Sequence, residues 1–294
     1  MWTFGLLLTS IVFPGSRPLP RNAAIQTDSS RVVVLTLDSD TFHNTRAVRV
    51  YLPAGYDSER SRERRYPVFY LNDGFSVFSA RGWNAPGILD SLMAARSIPP
   101  MIVVGIDNAA SITGARNPAR DRANEFLPWP DSTEPDLSAP RGLKYPAFVV
   151  HEVMPLISRR FRTLSGPENT GIGGSSYGGI AALVTVLGEP RTFGTLLLES
   201  TPLFLFHERL IAESRTLRTW PRAIAVGVGT RETDDERLNA VGTSALQRFV
   251  ALARERSPGS RVDLAVVEGA AHNAAAWRAR LPGALTFLFG ARSE

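Results

Sequence analysis

The chain contains no cysteine. Disulfides, thiolate catalysis and cysteine-based metal sites are therefore excluded. Lysine is almost as scarce, Lys144 being the only one. A phosphate-binding loop needs a Gly-Lys-Ser/Thr triplet, so this chain has none. Histidine occurs only four times. The pair His151-Glu152 lacks the second histidine of a zinc-binding H-E-x-x-H helix, because position 155 is proline. The apolar run Met1–Phe13 is too short to span a bilayer. It resembles the apolar core of an export signal but has no basic start and no clear A-x-A cleavage site. An export signal and an ordinary terminus both stay open, and with them a cytoplasmic or an exported location.

What is present allows one large α/β domain or two small ones. The length is 294 residues, the apolar share is 44% and the net charge is +5. The only dense basic run, Arg60-Ser-Arg-Glu-Arg-Arg65, is interrupted by Glu63 and preceded by Glu59. It reads as a solvated loop, so no nucleic-acid partner is expected. Residues 1–30 form an apolar segment and a Pro-containing linker, and residues 31–294 form the domain. No internal repeat is apparent, and the sequence gives no oligomeric state.

Two alternating β-branched stretches, Arg31–Leu37 and Arg46–Leu52, predict an antiparallel opening pair. Buried strands are expected at 66–71, 101–106, 169–172, 194–198, 223–228 and 262–267. Helices are expected at 88–95, at 145–161 with a disturbance at Pro155, at 179–187, at 245–256, and at 277–289 with a break near Pro282-Gly283. Residues 107–143 show no periodicity and read as a long functional or mobile stretch. Strands alternating with helices imply a mostly parallel sheet covered on both faces, with sites at the carboxyl ends of its strands.

The stretch Gly171-Ile-Gly-Gly-Ser-Ser-Tyr-Gly-Gly179 stands out. A dinucleotide loop beginning at Gly171 would need glycine at position 176, which is serine. Instead Gly174-Ser-Ser-Tyr-Gly178 fits G-x-S-x-G, between a short strand and an apolar helix. That is the pattern of a nucleophile elbow. The glycines relieve crowding at the sharp turn, and the Ser176 hydroxyl lies near the positive end of the helix. Ser175 is the adjacent alternative, but only Ser176 has glycine at both −2 and +2.

A serine hydroxyl needs a base, usually histidine held by a carboxylate. His272 follows the last strand in a small-residue loop and is the choice. His43 lies between the opening strands, His151 on a helix and His207 in a loop or helix start. The carboxylate candidates follow the strand ending at Val228: Glu232, Asp234, Asp235 and Glu236. Glu232 stands nearest the strand end and is chosen. The others suit a helix N-terminus, where acids are favourable. Two backbone N–H groups must receive the developing oxyanion. The Tyr177 amide supplies one, and the Phe75 amide, after Asn72-Asp-Gly74, is chosen for the other.

At this point the chain resembles the putative-esterase branch of the α/β-hydrolases, which includes siderophore esterases, feruloyl esterases, esterase D and the mycolyl transferases. The matching segments are Tyr66–Gly74, Val103–Asp107, Arg122–Phe126, Gly173–Gly179, Gly229–Glu232 and Gly269–Asn273, in order. The resemblance implies the α/β-hydrolase fold, with Ser176 as nucleophile, Glu232 as acid and His272 as base. One departure is Ser200-Thr-Pro-Leu203, where many relatives carry a Ser-Pro-Ser type segment followed by tryptophan. It bears on the substrate pocket. The expectation is a serine carboxylic-ester hydrolase acting through an acyl-enzyme on a small-molecule ester, without metal or organic cofactor. An acyltransferase would use the same residues, and a non-catalytic binding protein on this fold is the third alternative. Arginines of 107–143, including Arg116, Arg120 and Arg122, are expected to make a basic pocket for an acidic or catecholate substrate.

Overall fold

A computed structural model of the chain describes residues 29–112, 117–134 and 137–290. The apolar segment at 1–28 and Arg116 lie outside the described residues. The strands are β1 Arg31–Ser39, β2 Asn44–Leu52, β3 Val68–Asn72, β4 Ile102–Ile106, β5 Thr170–Ser175, β6 Thr195–Glu199, β7 Ala223–Arg231 and β8 Arg261–Ala271. They form one sheet in the order β1-β2-β4-β3-β5-β6-β7-β8. β1 and β2 pair antiparallel, as do β2 and β4; every other pairing is parallel.

Period-two alternation splits the core between the two faces of the sheet. Val68, Tyr70, Ile102 and Val104 point into one cluster, while Phe69, Leu71 and Val103 point into the other. The second cluster is covered by α1 Gly74–Phe78, α2 Ala85–Ala94 and, from the far end of the chain, α9 Ala274–Phe289. The first is covered mainly by α3 Pro118–Phe126, α4 Tyr145–Phe148, α5 Met154–Arg160, α6 Tyr177–Gly188, α7 Arg209–Ser214 and α8 Glu236–Arg256. This is the α/β-hydrolase fold in its layers and strand directions. The chain leaves β3 for β4 on one side and reaches β5 on the other. The carboxyl ends of β3 and β5 therefore flank a topological switch point, where such sheets open a crevice.

Three expectations need correction. The stretch 107–143 is not structureless: Pro118–Phe126 is a helix, opened by Pro118 in its first turn and capped by Asn117. Its mean polarity hid the buried Ala123, Glu125 and Phe126. α8 begins at Glu236, nine residues before the apolar stripe that signalled it. α9 runs through Pro282 without a break. Leu281, Leu285 and Leu288 are all buried, and each full burial contributes about 1.5–3 kcal/mol, so together they exceed the roughly 3 kcal/mol cost of an internal proline. The disturbance expected at Pro155 takes the form of a π-turn at Val149–Val153. It widens the helix where the proline ring would meet the carbonyl four residues earlier.

Candidate active site

β5 ends at Ser175, and α6 starts at Tyr177, so the turn between them is one residue long. That residue, Ser176, has φ 53° and ψ −132°, a conformation that costs an L-residue about 1–3 kcal/mol. Surrounding contacts hold it there. Its N–H donates to the Glu199 carbonyl at 2.8 Å, and its carbonyl accepts from the Gly179 N–H at 3.0 Å. A Cβ at Gly174 would lie 2.6 Å from the backbone of Gly178, and one at Gly179 would strike Thr201. Ser175 is buried, whereas Ser176 is partly exposed.

β7 and β8 run side by side to a shifted register between Gly229 and Arg231. The strands approach so closely that a Cβ at Gly229 would lie 2.0 Å from the Ala270 carbonyl oxygen. Past this point the β7 chain folds back, and Glu232 Oε1 accepts from the Gly229 N–H at 2.6 Å. The same oxygen accepts from the Ser200 hydroxyl at 2.7 Å. Glu232 Oε2 meets His272 Nδ1 at 2.7 Å. Burial pushes the Glu232 carboxyl up, but the bonds from His272, Ser200 and Gly229 outweigh it and hold the group below the ordinary glutamate range. His272 is the first residue past β8, and Asn273 caps α9 directly after it.

The other acids sit elsewhere. Asp235 caps α8, accepting from the Arg237 and Leu238 N–H groups, and Glu236 lies in the first turn of that helix. Asp234 is exposed. Among the remaining histidines, His43 lies in the β1–β2 turn, His151 is exposed on the π-turn and His207 lies in a left-handed turn.

Phe75 is the second residue of α1, within the first turn, where backbone N–H groups lack an intrahelical acceptor. Its loop is fastened to the elbow. Asn72 Nδ2 donates to the Gly178 carbonyl at 2.7 Å, and Tyr145 Oη donates to Asn72 Oδ1 at 2.8 Å. Asp73, at φ 61°, receives both arms of the Arg122 guanidinium at 2.9 and 2.7 Å and a bond from Asn108. Phe75 does not line the cavity that Ser176 and His272 share.

Ser176, Tyr177, Ser200, Glu232 and His272 all face one cavity of about 290 Å³. Its far wall is apolar, made by Pro202, Phe204, Val228, Leu238 and Leu246. Among the described residues no arginine lines it, so Arg120 and Arg122 do not form the expected basic pocket, and Arg116 lies outside the described residues. Arg122 is spent on Asp73, and Arg120 is exposed. Besides Glu232, the acidic group lining the cavity is Glu134, which accepts from the Tyr177 hydroxyl. Ser176 Oγ and His272 are not hydrogen-bonded here; such contacts commonly tighten only with substrate bound.

Sequence reasoning missed Trp277 and Arg280, and it placed Ser200 only in the pocket. Trp277 Nε1 and Arg280 Nη2 both donate to Ser200 Oγ, at 2.9 and 3.1 Å. The position of Ser200 just past β6, at a strand's carboxyl end, was the available signal. The α8 wall was missed because Asn239, Gly242, Thr243 and Ser244 interrupt its apolar spacing.

A strand–serine–helix elbow at the switch point of a mostly parallel sheet, facing a histidine held by a carboxylate, defines an α/β-hydrolase. The family described as "Putative esterase" matches residues 39–288, and the chain belongs to it. The family is one of esterases, carboxylic-ester hydrolases. The chain is 26% identical over 260 residues to the endo-1,4-beta-xylanase/feruloyl esterase of Xylanibacter ruminicola, covering 87% of this chain and 31% of that protein. It is 25% identical over 260 residues to the iron(III) enterobactin esterase of Dickeya dadantii, covering 80% of this chain and 54% of that protein. It thus spans about half the length or less of these curated relatives. The fold is also that of an IroE-like serine hydrolase from Shewanella oneidensis, with TM-score 0.71 and 19% identity over 88% of this chain and 80% of the other. Among the described residues no helix is long and apolar enough to cross a membrane.

Proposed function

We propose that the chain hydrolyses carboxylic esters through an acyl-enzyme. Ser176 is the nucleophile, His272 the general base and then acid, and Glu232 the carboxylate that orients His272. The backbone N–H groups of Tyr177 and Phe75 receive the oxyanion. The observation that carries this reading is the 2.7 Å contact of Glu232 Oε2 with His272 Nδ1, on a cavity that the strained Ser176 also lines.

A carboxylate on Nδ1 keeps the proton there and leaves Nε2 free to accept. His272 takes the Ser176 proton as Oγ bonds to the acyl carbon, and the carbonyl electron pair moves onto oxygen. Collapse of this tetrahedral species breaks the ester C–O bond. His272 returns the proton to the departing alcohol. Water then repeats the sequence on the acyl-enzyme, releasing the acid and restoring Ser176. The apolar wall under α8 suits the acyl group.

The test is a fluorophosphonate probe followed by peptide mapping, together with a panel of esters. Two relatives are named for feruloyl and enterobactin esters, so both belong in the panel beside short acyl esters. The adduct is expected on Ser176, with a burst of alcohol from an activated ester. An adduct on Ser175, or no burst from any ester, would overturn the proposal. Repeating the assay with an added alcohol separates hydrolysis from acyl transfer by product.

A further inference from the structure

Ser200 sits where three parts of the chain converge: the end of β6, the acid loop after β7, and α9. A hydroxyl has one hydrogen and two lone pairs. Indole N–H and guanidinium groups can only donate. With Trp277 Nε1 and Arg280 Nη2 both pointing at Ser200 Oγ, its lone pairs are taken, and its single hydrogen is left for Glu232 Oε1. The direction of the hydroxyl is thereby fixed. Arg280 is itself anchored by Nε to Glu199 Oε2 at 2.7 Å, and both side chains are buried. Trp277 and Arg280 stand three residues apart on α9, so one helix face presents both donors. The Trp277 ring also meets the His272 ring edge to face, with centroids 5.2 Å apart.

The backbone adds a second observation. Ser200 has φ 45°, in the left-handed region that glycine occupies without penalty. A residue needed only for the turn would be better as glycine, so the strain points to a use for the side chain.

We infer that Ser200 is a positioning residue for Glu232, its hydroxyl aimed by Trp277 and Arg280 so that the second carboxylate oxygen faces His272. The inference rests on the proposed roles of Ser176, Glu232 and His272. Ser200→Gly is the informative variant, because it removes the hydroxyl at a position whose backbone glycine prefers. Losing one hydrogen bond to a carboxylate should lower kcat by about ten- to a hundredfold, with KM little changed. Trp277→Phe keeps the aromatic contact, frees one lone pair and should cost less.

A double-mutant cycle decides between positioning and mere folding. If Ser200 acts through Glu232, Ser200→Gly should change little once Glu232→Gln is present. Independent, multiplicative losses in the cycle, or a wild-type kcat for Ser200→Gly, would overturn the inference. Ser176→Ala is measured alongside. If Ser176→Ala and Glu232→Gln collapse while Ser200→Gly does not, this inference alone falls. If Ser176→Ala or Glu232→Gln stays near wild type, the proposed mechanism fails and takes this inference with it.

Discussion

Replacing Glu232 by glutamine tests the centre of the proposed mechanism, and the structure sets the size of the effect. The amide has one accepting oxygen where the carboxylate has two. Glu232 Oε1 receives two donors, the Ser200 hydroxyl and the Gly229 N–H. The amide oxygen should settle there, which turns its NH2 toward His272 Nδ1. An NH2 group can only donate, so His272 must accept at Nδ1 and carry its proton on Nε2. That tautomer cannot take the proton of Ser176. Loss of the charge acts in the same direction. Two unit charges ~4 Å apart attract by about 4 kcal/mol at an effective dielectric of ~20, or roughly three decades in rate. With the wrong tautomer added, kcat should fall by about four decades, as for a triad acid made into its amide. The assay is initial-rate hydrolysis of an activated ester at one pH, with circular dichroism confirming the fold. Asp234→Asn and Asp235→Asn are the controls, and Asp235→Asn keeps a good helix cap. A kcat within tenfold of wild type for Glu232→Gln would refute the reasoning, and a collapse in either control would move the acid's role.

Ser176→Ala should lose about six decades of turnover and all fluorophosphonate labelling, read by steady-state rates and mass spectrometry. Gly178→Ala places a Cβ 2.8 Å from Asp73 Oδ2, and Arg122 grips that carboxylate by both arms. The loop bearing Phe75 must shift, so kcat should drop by about a hundredfold while thermal stability changes far less. A Cβ added at Gly242 would rest in ordinary contact with the Phe204 ring, 3.6 Å away, at the cavity wall, so a longer side chain must extend into the cavity. Gly242→Leu should therefore shorten the longest acyl chain accepted, measured as kcat/KM across a series of chain lengths. Glu199 has its pKa raised by burial to about 7, against the opposing pull of Arg280. A carboxyl whose folded pKa exceeds its unfolded value of about 4.3 binds more protons when folded. Its stabilising share is full below pH ~4 and is lost as pH rises through about 7. Melting temperature should fall between pH 5 and 8, and Glu199→Gln should flatten that fall.

The legible parts of this chain are those whose cause is local. The elbow could be read because Gly174 and Gly178 answer a steric problem created by Ser176 itself, within five residues. The buried strands β3, β4, β6 and β7 could be found because such a strand needs only its own run of apolar residues, and β1 and β2 because their residues alternate. His272 and Glu232 could be nominated because both follow strands directly, and a parallel sheet puts all such ends on one edge. Elements whose cause is distant were misread. α3 looked polar throughout, yet Glu125 is buried because Arg46, from an antiparallel strand 79 positions away, pairs with it at 2.6 Å. α9 looked broken at Pro282, yet its three buried leucines settle into a face built by β3, β6 and β7.

The same distinction separates the reacting groups from those that aim them. Ser200, Trp277 and Arg280 carry no motif, because each matters only through the other two. Ser200 is neither at an elbow nor next to a glycine pair, and a tryptophan at 277 reads as ordinary core. What joins them is hydrogen-bond count: two obligate donors on one hydroxyl leave a single direction for its proton. Such a constraint exists only after β6, β7 and α9 have been brought together. The carboxylate of Glu232 could be found by its place in the chain, but the reason it points at His272 lies 32 residues before it and 45 after it, in Ser200 and Trp277.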